Sequence, residues 1–340
     1  MQFGTLIALA FTPRGWLLAR VTRLAAPFLR VTFLSAALSC GLVSMLAGGP
    51  LSFEAISEQL ALEGSTRAGL LAWLGLGVRL RVLSMRGDRY ELRGWLARSL
   101  ARRKNDAMAA LLEELGSTQH LFVLETPGRL RQGRKFRFAD QDAAVTARSS
   151  RVLEPFVREA VRRVIPRTGP VRLLEVGCGS GTYMRYAAVL NPQLRAVGLE
   201  LQAEAAALAR RNIDEWKLGE RVSVETGDVR SRVPNASFDA VTLHNAINYF
   251  TVESRVGLLA HLRAFLKPGG RILLTCGCVP GGVAIEWLNL WGAMTDGCGP
   301  FPTAPEMVGQ LEQAGFLRVK HRSLIPGAGY YSFAAENSAS

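Results

Sequence analysis

From residue 171 onward, hydrophobic positions switch between short unbroken runs and longer stretches of helical spacing. Residues 173–176 (LLEV) form a brief apolar run ending at Gly177, the pattern of a strand buried on both faces. Residues 182–190 read as a helix, and the run closing at Glu200 (AVGLE) reads as the next strand. Residues 222–225, 238–243 and 266–276 supply three more strands, the last entered through a helix end and the Pro268-Gly269-Gly270 turn. Residues 283–299 and 303–314 read as helices, and residues 316–324 and 330–335 as two closing strands. Strands alternating with helices predict an α/β unit with a mostly parallel sheet covered on both faces.

The front of the chain is patterned differently. Residues 1–30 mix apolar side chains, Trp16 and Phe28 among them, with Arg14, Arg20, Arg23 and Arg30. That mixture predicts a basic amphipathic helix on a membrane surface, or a helix packed on its own domain or on a second subunit. No Lys or Arg precedes the first apolar run, which argues against a signal peptide. Residues 31–48 carry no charge and reach the lower length limit for crossing a bilayer. Ser35, Ser39, Gly41, Ser44 and the closing GGP favour a buried core or dimer helix instead. Residues 51–62 place Phe53, Ile56 and Leu60 at helical spacing, with Ser52 as N-cap. Glu63-Gly64 turns the chain, and Ser65 opens a second helix through Leu76 with Leu70, Leu71 and Leu74 as its inner stripe. Residues 80–85 and 90–92 flank Arg86-Gly87-Asp88 as a hairpin. Helix, turn, helix and hairpin predict a winged helix. Residues 101–170 read as a connector: ARRKN and GRLRQGRKFRF as solvated charge runs, and residues 139–164 as strongly helical.

Composition narrows this picture. The 340 residues are 49% hydrophobic and 20% charged, globular values with room for two cores. Five cysteines include no C-x-x-C pair, which argues against a disulfide framework or a zinc site and for a reducing cytoplasm. Cys276 and Cys278 point to one face of a strand and read as core. The net charge of +13 is lopsided: residues 1–170 hold 25 Lys and Arg against 13 Asp and Glu, and residues 171–340 hold 16 against 15. A basic front half admits nucleic acid, an anionic membrane or acidic substrates as partners.

Candidate chemistry centres on residues 173–181 (LLEVGCGSG). Gly177, Gly179 and Gly181 remove side chains where a backbone passes close to a ligand, and the helix that follows turns its free N–H groups toward it. An acid ending the next strand, here Glu200, is placed to hold a ribose hydroxyl. The G-x-G-x-G spacing departs from the G-x-G-x-x-G of dinucleotide binders. In this order the segments resemble the class I S-adenosylmethionine-dependent methyltransferases. Glu175-x-Gly177-x-Gly179-x-Gly181, Glu200, Asp228 and the Pro-Gly-Gly turn fall where that family has its motifs. The front half resembles the N-terminal dimerisation domain of small-molecule O-methyltransferases.

The resemblance implies a seven-stranded, doubly wound, Rossmann-like sheet over residues 169–340. A helical connector or lid (111–168) and a winged-helix dimerisation domain (1–110) would precede it. It implies S-adenosylmethionine as cofactor, held by Glu175, Gly177, Gly179, Gly181, Glu200, Leu201, Asp228, Val229 and His244. Arg148, with Ser149 and Ser150, becomes a candidate for the cofactor's carboxylate. After the fourth strand the family ends in His-Asp-Trp, its His the general base; this chain has Asn248-Tyr249-Phe250. Asn accepts no proton at neutral pH, so His244 and Asn248 are the candidates for catalysis, and transfer rests on proximity and orientation. Tyr249, Glu286, Trp287, Trp291 and Met294 are the expected acceptor pocket, suited to a flat or greasy metabolite of secondary metabolism. The second helix of the winged helix, STRAGLLAWLGL, carries one Arg (Arg67) and has little with which to read bases. A nucleic-acid methyltransferase that modifies amino groups would show an Asn/Asp-Pro-Pro motif where HNAINYF stands. The alternative is a winged-helix regulator that senses the cofactor, or binds nucleic acid, without transferring methyl groups.

Overall fold

The computed structural model describes residues 12–62 and 64–338. The chain divides into two compact units, one ending at Leu124 and the other beginning at Glu125.

The first unit opens with α1 (Pro13–Ser39), capped by Thr12, whose hydroxyl accepts from Gly15 N at 3.1 Å, with proline at its first position. The helix continues past Pro27, so the stretches read separately as residues 1–30 and 31–48 share one helix as far as Ser39. The reading of residues 1–11 as part of this helix, and of Glu63 as a turn residue, lies outside the described residues. Gly41, at φ +81°, ends the run and starts α2 (Leu42–Ala47). Next come β1 (Leu51–Ser52) and α3 (Phe53–Gln59), where Ser52 caps by accepting from Ala55 N at 3.2 Å. In α4 (Arg67–Arg79) the buried positions are Leu70, Leu74 and Gly77. Leu71, expected inside, is 43% exposed. Gly77 takes its place because a Cβ there would lie 2.3 Å from the Phe33 ring. The hairpin of β2 (Leu83–Arg86) and β3 (Arg89–Leu92) accepts β1 on its free edge, giving the order β1-β3-β2. This is the winged-helix arrangement.

After α5 (Gly94–Leu100) the expected connector is largely helical: α6 (Asp106–Glu114), a π-helical turn Leu115–Gln119 and α7 (His120–Arg131). The run GRLRQGRKFRF is solvated over residues 130–135 and at Arg137, but its aromatic residues are not. Phe136 is 3% exposed with the Arg129 guanidinium 3.9 Å above its ring. Its backbone bonds Met294 O and Asp296 N, both at 2.8 Å.

In the second unit, α8 (Ala143–Ser149) and α9 (Glu154–Val164) lead to β4 (Val171–Val176) and α10 (Thr182–Leu190). There follow β5 (Leu194–Glu200), α11 (Ala203–Glu215), β6 (Val222–Thr226), β7 (Phe238–His244), α12 (Arg255–Ala264) and β8 (Leu266–Gly277). The unit closes with α13 (Val283–Met294), α14 (Ala304–Gln313), β9 (Leu317–Ile325) and β10 (Tyr330–Glu336). Pro268-Gly269-Gly270 lies within β8 rather than before it. The seven-stranded sheet has the order β6-β5-β4-β7-β8-β10-β9, parallel through β8, with β10 antiparallel to both of its neighbours. Strand alternation sends Leu174, Val176, Val241 and Leu243 into one core with α12 and α14, and Leu173 and Ala240 into another with α9 and α10.

Candidate active site

The strand order turns back on itself between β4 and β7, and a doubly wound sheet binds ligands in the crevice outside the carboxyl ends of such strands. A cavity of about 340 Å³ lies there, within the usual size range for cofactor pockets.

The turn after β4 forms one wall. Gly177, Gly179 and Gly181 take φ of +67°, +53° and +76°, a region closed to most L side chains. Gly177 N and Cys178 N both donate to Leu199 O, at 2.8 and 3.3 Å, fastening the turn to the end of β5. A Cβ built on Gly179 would meet nothing within 4 Å, so the space beside that backbone is free for a ligand. Gly181 lines none of the cavity; it is the left-handed cap of α10 and faces Ala209 and Ile213. Glu200 spans the turn, its Oε2 accepting from Gly179 N at 2.9 Å and its Oε1 from Gln202 N at 3.1 Å. Each oxygen keeps a lone pair for a hydroxyl donor. Leu201, Asp228 and Val229 continue this wall. Asp228 is gripped by Arg230, with contacts down to 2.6 Å, and that guanidinium holds its carboxyl below the usual range. Glu175 sits off the wall, 1% exposed, and burial pushes its carboxyl up to about 8.

Across the cavity, His244 ends β7. Its Nδ1 is 3.0 Å from Thr275 Oγ1, its Nε2 has no protein partner, and burial pushes it down to about 3, so the ring is neutral. Tyr183, from the first turn of α10, lies edge-on to it with centroids 5.0 Å apart, and its buried hydroxyl is likewise without a partner. Orphaned buried polar atoms on a cavity wall mark where a ligand's polar groups belong.

The remaining wall is aromatic. Tyr249 and Phe138 meet edge to face at 5.3 Å, and Trp291 backs both, at 5.4 and 6.4 Å, while only 1% exposed itself. Phe250, Asp296, Gly297 and Cys298 complete this side, with Thr146 from α8 and Ser150 and Arg151 from the turn after it. Burial pushes the Cys298 thiol up to about 11, so it stays protonated.

The sequence-derived residues thus separate into two groups. Gly177, Gly179, Glu200, Leu201, Asp228, Val229, His244 and Tyr249 share the cavity wall. Arg148 is off it; Arg151, one turn on, takes the wall position. Asn248 is buried behind the wall with its Oδ1 unpartnered. Of the α13 candidates, Glu286 is exposed and accepts from Gly281 N at 2.9 Å, and Trp287 and Met294 lie off the wall. Phe138, Tyr183 and the 296–298 turn escaped sequence reasoning. Phe138 is an aromatic inside a charge run, and Tyr183 directly follows the glycine turn, so both carried a signal.

The pieces agree with one another. Open space at Gly179, a two-pronged acid beside it, and a polar pair across the cavity suit a nucleoside carrying a polar tail, bound at the switch point of a doubly wound sheet. Residues 174–272 match the family described as a methyltransferase domain. The chain is 32% identical over 105 residues to a protein named probable fatty acid methyltransferase of Mycobacterium tuberculosis, covering 31% of this chain and 24% of that protein. It is 25% identical over 260 residues to demethylspheroidene O-methyltransferase of Cereibacter sphaeroides, covering 73% and 68%. Human N-acetylserotonin methyltransferase, solved with S-adenosylmethionine, superposes at a TM-score of 0.72 with 18% identity, over 97% of this chain and 99% of that one. Residues 174–272 are thus a methyltransferase domain, carried on a fold shared with a solved S-adenosylmethionine-bound methyltransferase.

Proposed function

We propose that this enzyme methylates a small apolar or aromatic metabolite, working by placement with little general-base help. The observation that carries the reading is the Phe138–Tyr249 pair facing the same cavity as His244, with Trp291 packed behind it. Aromatic faces and edges favour flat, apolar partners. The small acceptors named for demethylspheroidene and N-acetylserotonin methyltransferases are consistent with it.

In this reading Glu200 holds the ribose hydroxyls, Asp228 and Val229 flank the base, and Tyr183, His244 and Arg151 meet the amino-acid tail or the acceptor. S-adenosylmethionine supplies a methyl already activated on a sulfonium. The protein's part is to align an acceptor and exclude water, a contribution of several kcal/mol. His244 is unprotonated but resists becoming charged in its dry surroundings, and the Asn248 amide is off the wall. An acceptor nucleophilic in its own right, such as an acidic phenol, an amine, a thiol or an activated carbon, fits such a site. The test is transfer of labelled methyl to panels of small aromatic and isoprenoid compounds, to nucleic acid and to protein. Label in the small compounds is expected; label confined to nucleic acid or protein would overturn the reading. Cofactor uptake without turnover on any panel would favour the regulator. Against that reading, the exposed positions of α4 include Leu71, Gly75 and Leu76, which offer no hydrogen bonds to bases.

We propose further that the protein is cytoplasmic and pairs with a second copy through its first unit. On α1, Trp16, Leu17, Leu18, Val21, Leu24 and Phe28 are each more than half exposed, more apolar surface than a solitary soluble helix carries. A dimer by analytical ultracentrifugation, lost when these residues become polar, is expected. Four arginines and no acid in the first 53 residues make the competing outcome specific: a monomer that sediments with anionic vesicles.

A further inference from the structure

Four side chains form a line of hydrogen bonds that joins two residues of the cavity wall, Asn245 and His244, through Tyr330 and Thr275 behind them. Register brings them together: His244 pairs with Thr275 across β7 and β8, and β10 returns antiparallel to set Tyr330 beside Gly277. Tyr330 Oη is 2.6 Å from Asn245 Oδ1 and 3.2 Å from Thr275 Oγ1, and Thr275 Oγ1 is 3.0 Å from His244 Nδ1. Tyr330 and Thr275 are 1% and 0% exposed, so proton bookkeeping within the line decides its direction.

An amide oxygen only accepts, so the Tyr330 hydroxyl donates to Asn245 through the shorter contact. A phenol has one proton; where Tyr330 meets Thr275, the Thr275 hydroxyl must therefore be the donor. With that proton committed, Thr275 offers His244 only a lone pair, and the hydrogen in that contact belongs to Nδ1. A neutral imidazole carries a single N–H, which leaves Nε2 bare. That atom is buried, has no partner in the protein, and belongs to a residue of the cavity wall. Asn245 itself is held at φ +53° while its backbone N donates to Thr275 O at 2.7 Å; an uncommon backbone state for a non-glycine residue at such a place points toward function.

We propose that Asn245, Tyr330 and Thr275 are positioning residues that lock His244 in its Nδ1–H form, so that Nε2 is the hydrogen-bond acceptor for an N–H or O–H donor of the bound ligands. The inference rests on the methyl-transfer reading of the cavity for the nature of those ligands, but the tautomer is decidable without it.

The test is nitrogen-15 NMR of the imidazoles in the full chain at pH 7, with His244 assigned by a His244→Gln variant. The expected signature is a protonated Nδ1 and a pyridine-type Nε2; a protonated Nε2 overturns the proposal. Tyr330→Phe frees the Thr275 proton to point at Nδ1 and is expected to bring up the Nε2–H form; an unchanged spectrum overturns it. Should Tyr330→Phe not fold, Thr275→Val removes the link with little change of shape, and Thr275→Ser is expected to restore the wild-type signature; failure of that rescue overturns it. Calorimetry with S-adenosylhomocysteine and with 5′-methylthioadenosine, which lacks the amino-acid tail, then locates the donor. A fall of about tenfold for the first compound alone in Thr275→Val places the donor on the cofactor's amino group. Unchanged affinity for both places it on the acceptor, whereas an equal loss for both makes Thr275 merely structural and overturns the relay. If neither compound binds the wild type, the methyl-transfer reading has failed, and the spectra still decide the tautomer.

Discussion

The two sides of the cavity are built by different means. The side proposed for the nucleoside is mostly backbone: a glycine turn, the ends of β5 and β6, and one carboxylate tying Gly179 N to Gln202 N. The opposite side is made of side chains drawn from far apart in the chain, with Phe138, Tyr249 and Trp291 contributed by three separate segments. Backbone held by parallel strands leaves little room to vary, whereas an aromatic wall can be resized one ring at a time. The construction suits a constant cofactor on one side and a chain-specific acceptor on the other.

Five substitutions put that contrast to the test, the last through stability alone. The largest effect is expected from Glu200→Ala, which removes an acceptor for two backbone amides and for the ligand. With charge-assisted bonds worth about 1.5–3 kcal/mol each, S-adenosylhomocysteine affinity should fall on the order of 10²–10³-fold by calorimetry. Tyr249→Ala should raise the acceptor's KM roughly tenfold and leave cofactor affinity within about twofold, since ring packing carries about 0.5–1.5 kcal/mol beyond area. Equal losses on both sides would dissolve the distinction. His244→Ala should slow turnover about tenfold, short of the roughly 10²-fold or more expected from loss of a general base, and Asn248→Ala by less than about threefold. A larger His244 effect with cofactor affinity intact would make it the base.

The smallest effect is on stability. Glu175 has its folded value raised from 4.5 to about 8, so its contribution is complete below pH 4.5 and is lost as pH rises through 8. The melting temperature of the cofactor-free protein should decline from pH 6 to 9, and Glu175→Gln should flatten that decline. His244 runs the other way: lowered from 6.5 to about 3, it contributes fully above pH 6.5, and that contribution is lost as pH falls toward 3. Turnover between pH 7 and 9 should show no limb from its titration.

Much of the nucleoside side was legible because it is local. Gly177 and Gly179 share one turn and Glu200 closes the very next strand, so spacing brings these three together, whereas Glu175 and Gly181 of the same motif turn away from the cavity. The acceptor side depends on how distant segments meet. Trp287 and Trp291 lie four residues apart on one helix, yet only Trp291 backs the aromatic wall, because the helix turns that position toward Tyr249 and Phe138. Phe136 and Phe138 were hidden in a basic run whose arginines suggested solvent; backbone pairing to residues 294 and 296 holds that run down instead. In the first unit, Leu71 and Gly77 exchanged places because Phe33 fills the space a side chain at 77 would need.

The carboxylate bridge of Glu200 has a cost for the cell. In the proposed binding mode it grips parts of the nucleoside that are identical before and after the methyl group leaves, and contacts shared by both forms bind spent and fresh cofactor alike. Release of the demethylated compound then depends on the lost positive charge, and sustained turnover depends on another activity that keeps its concentration low.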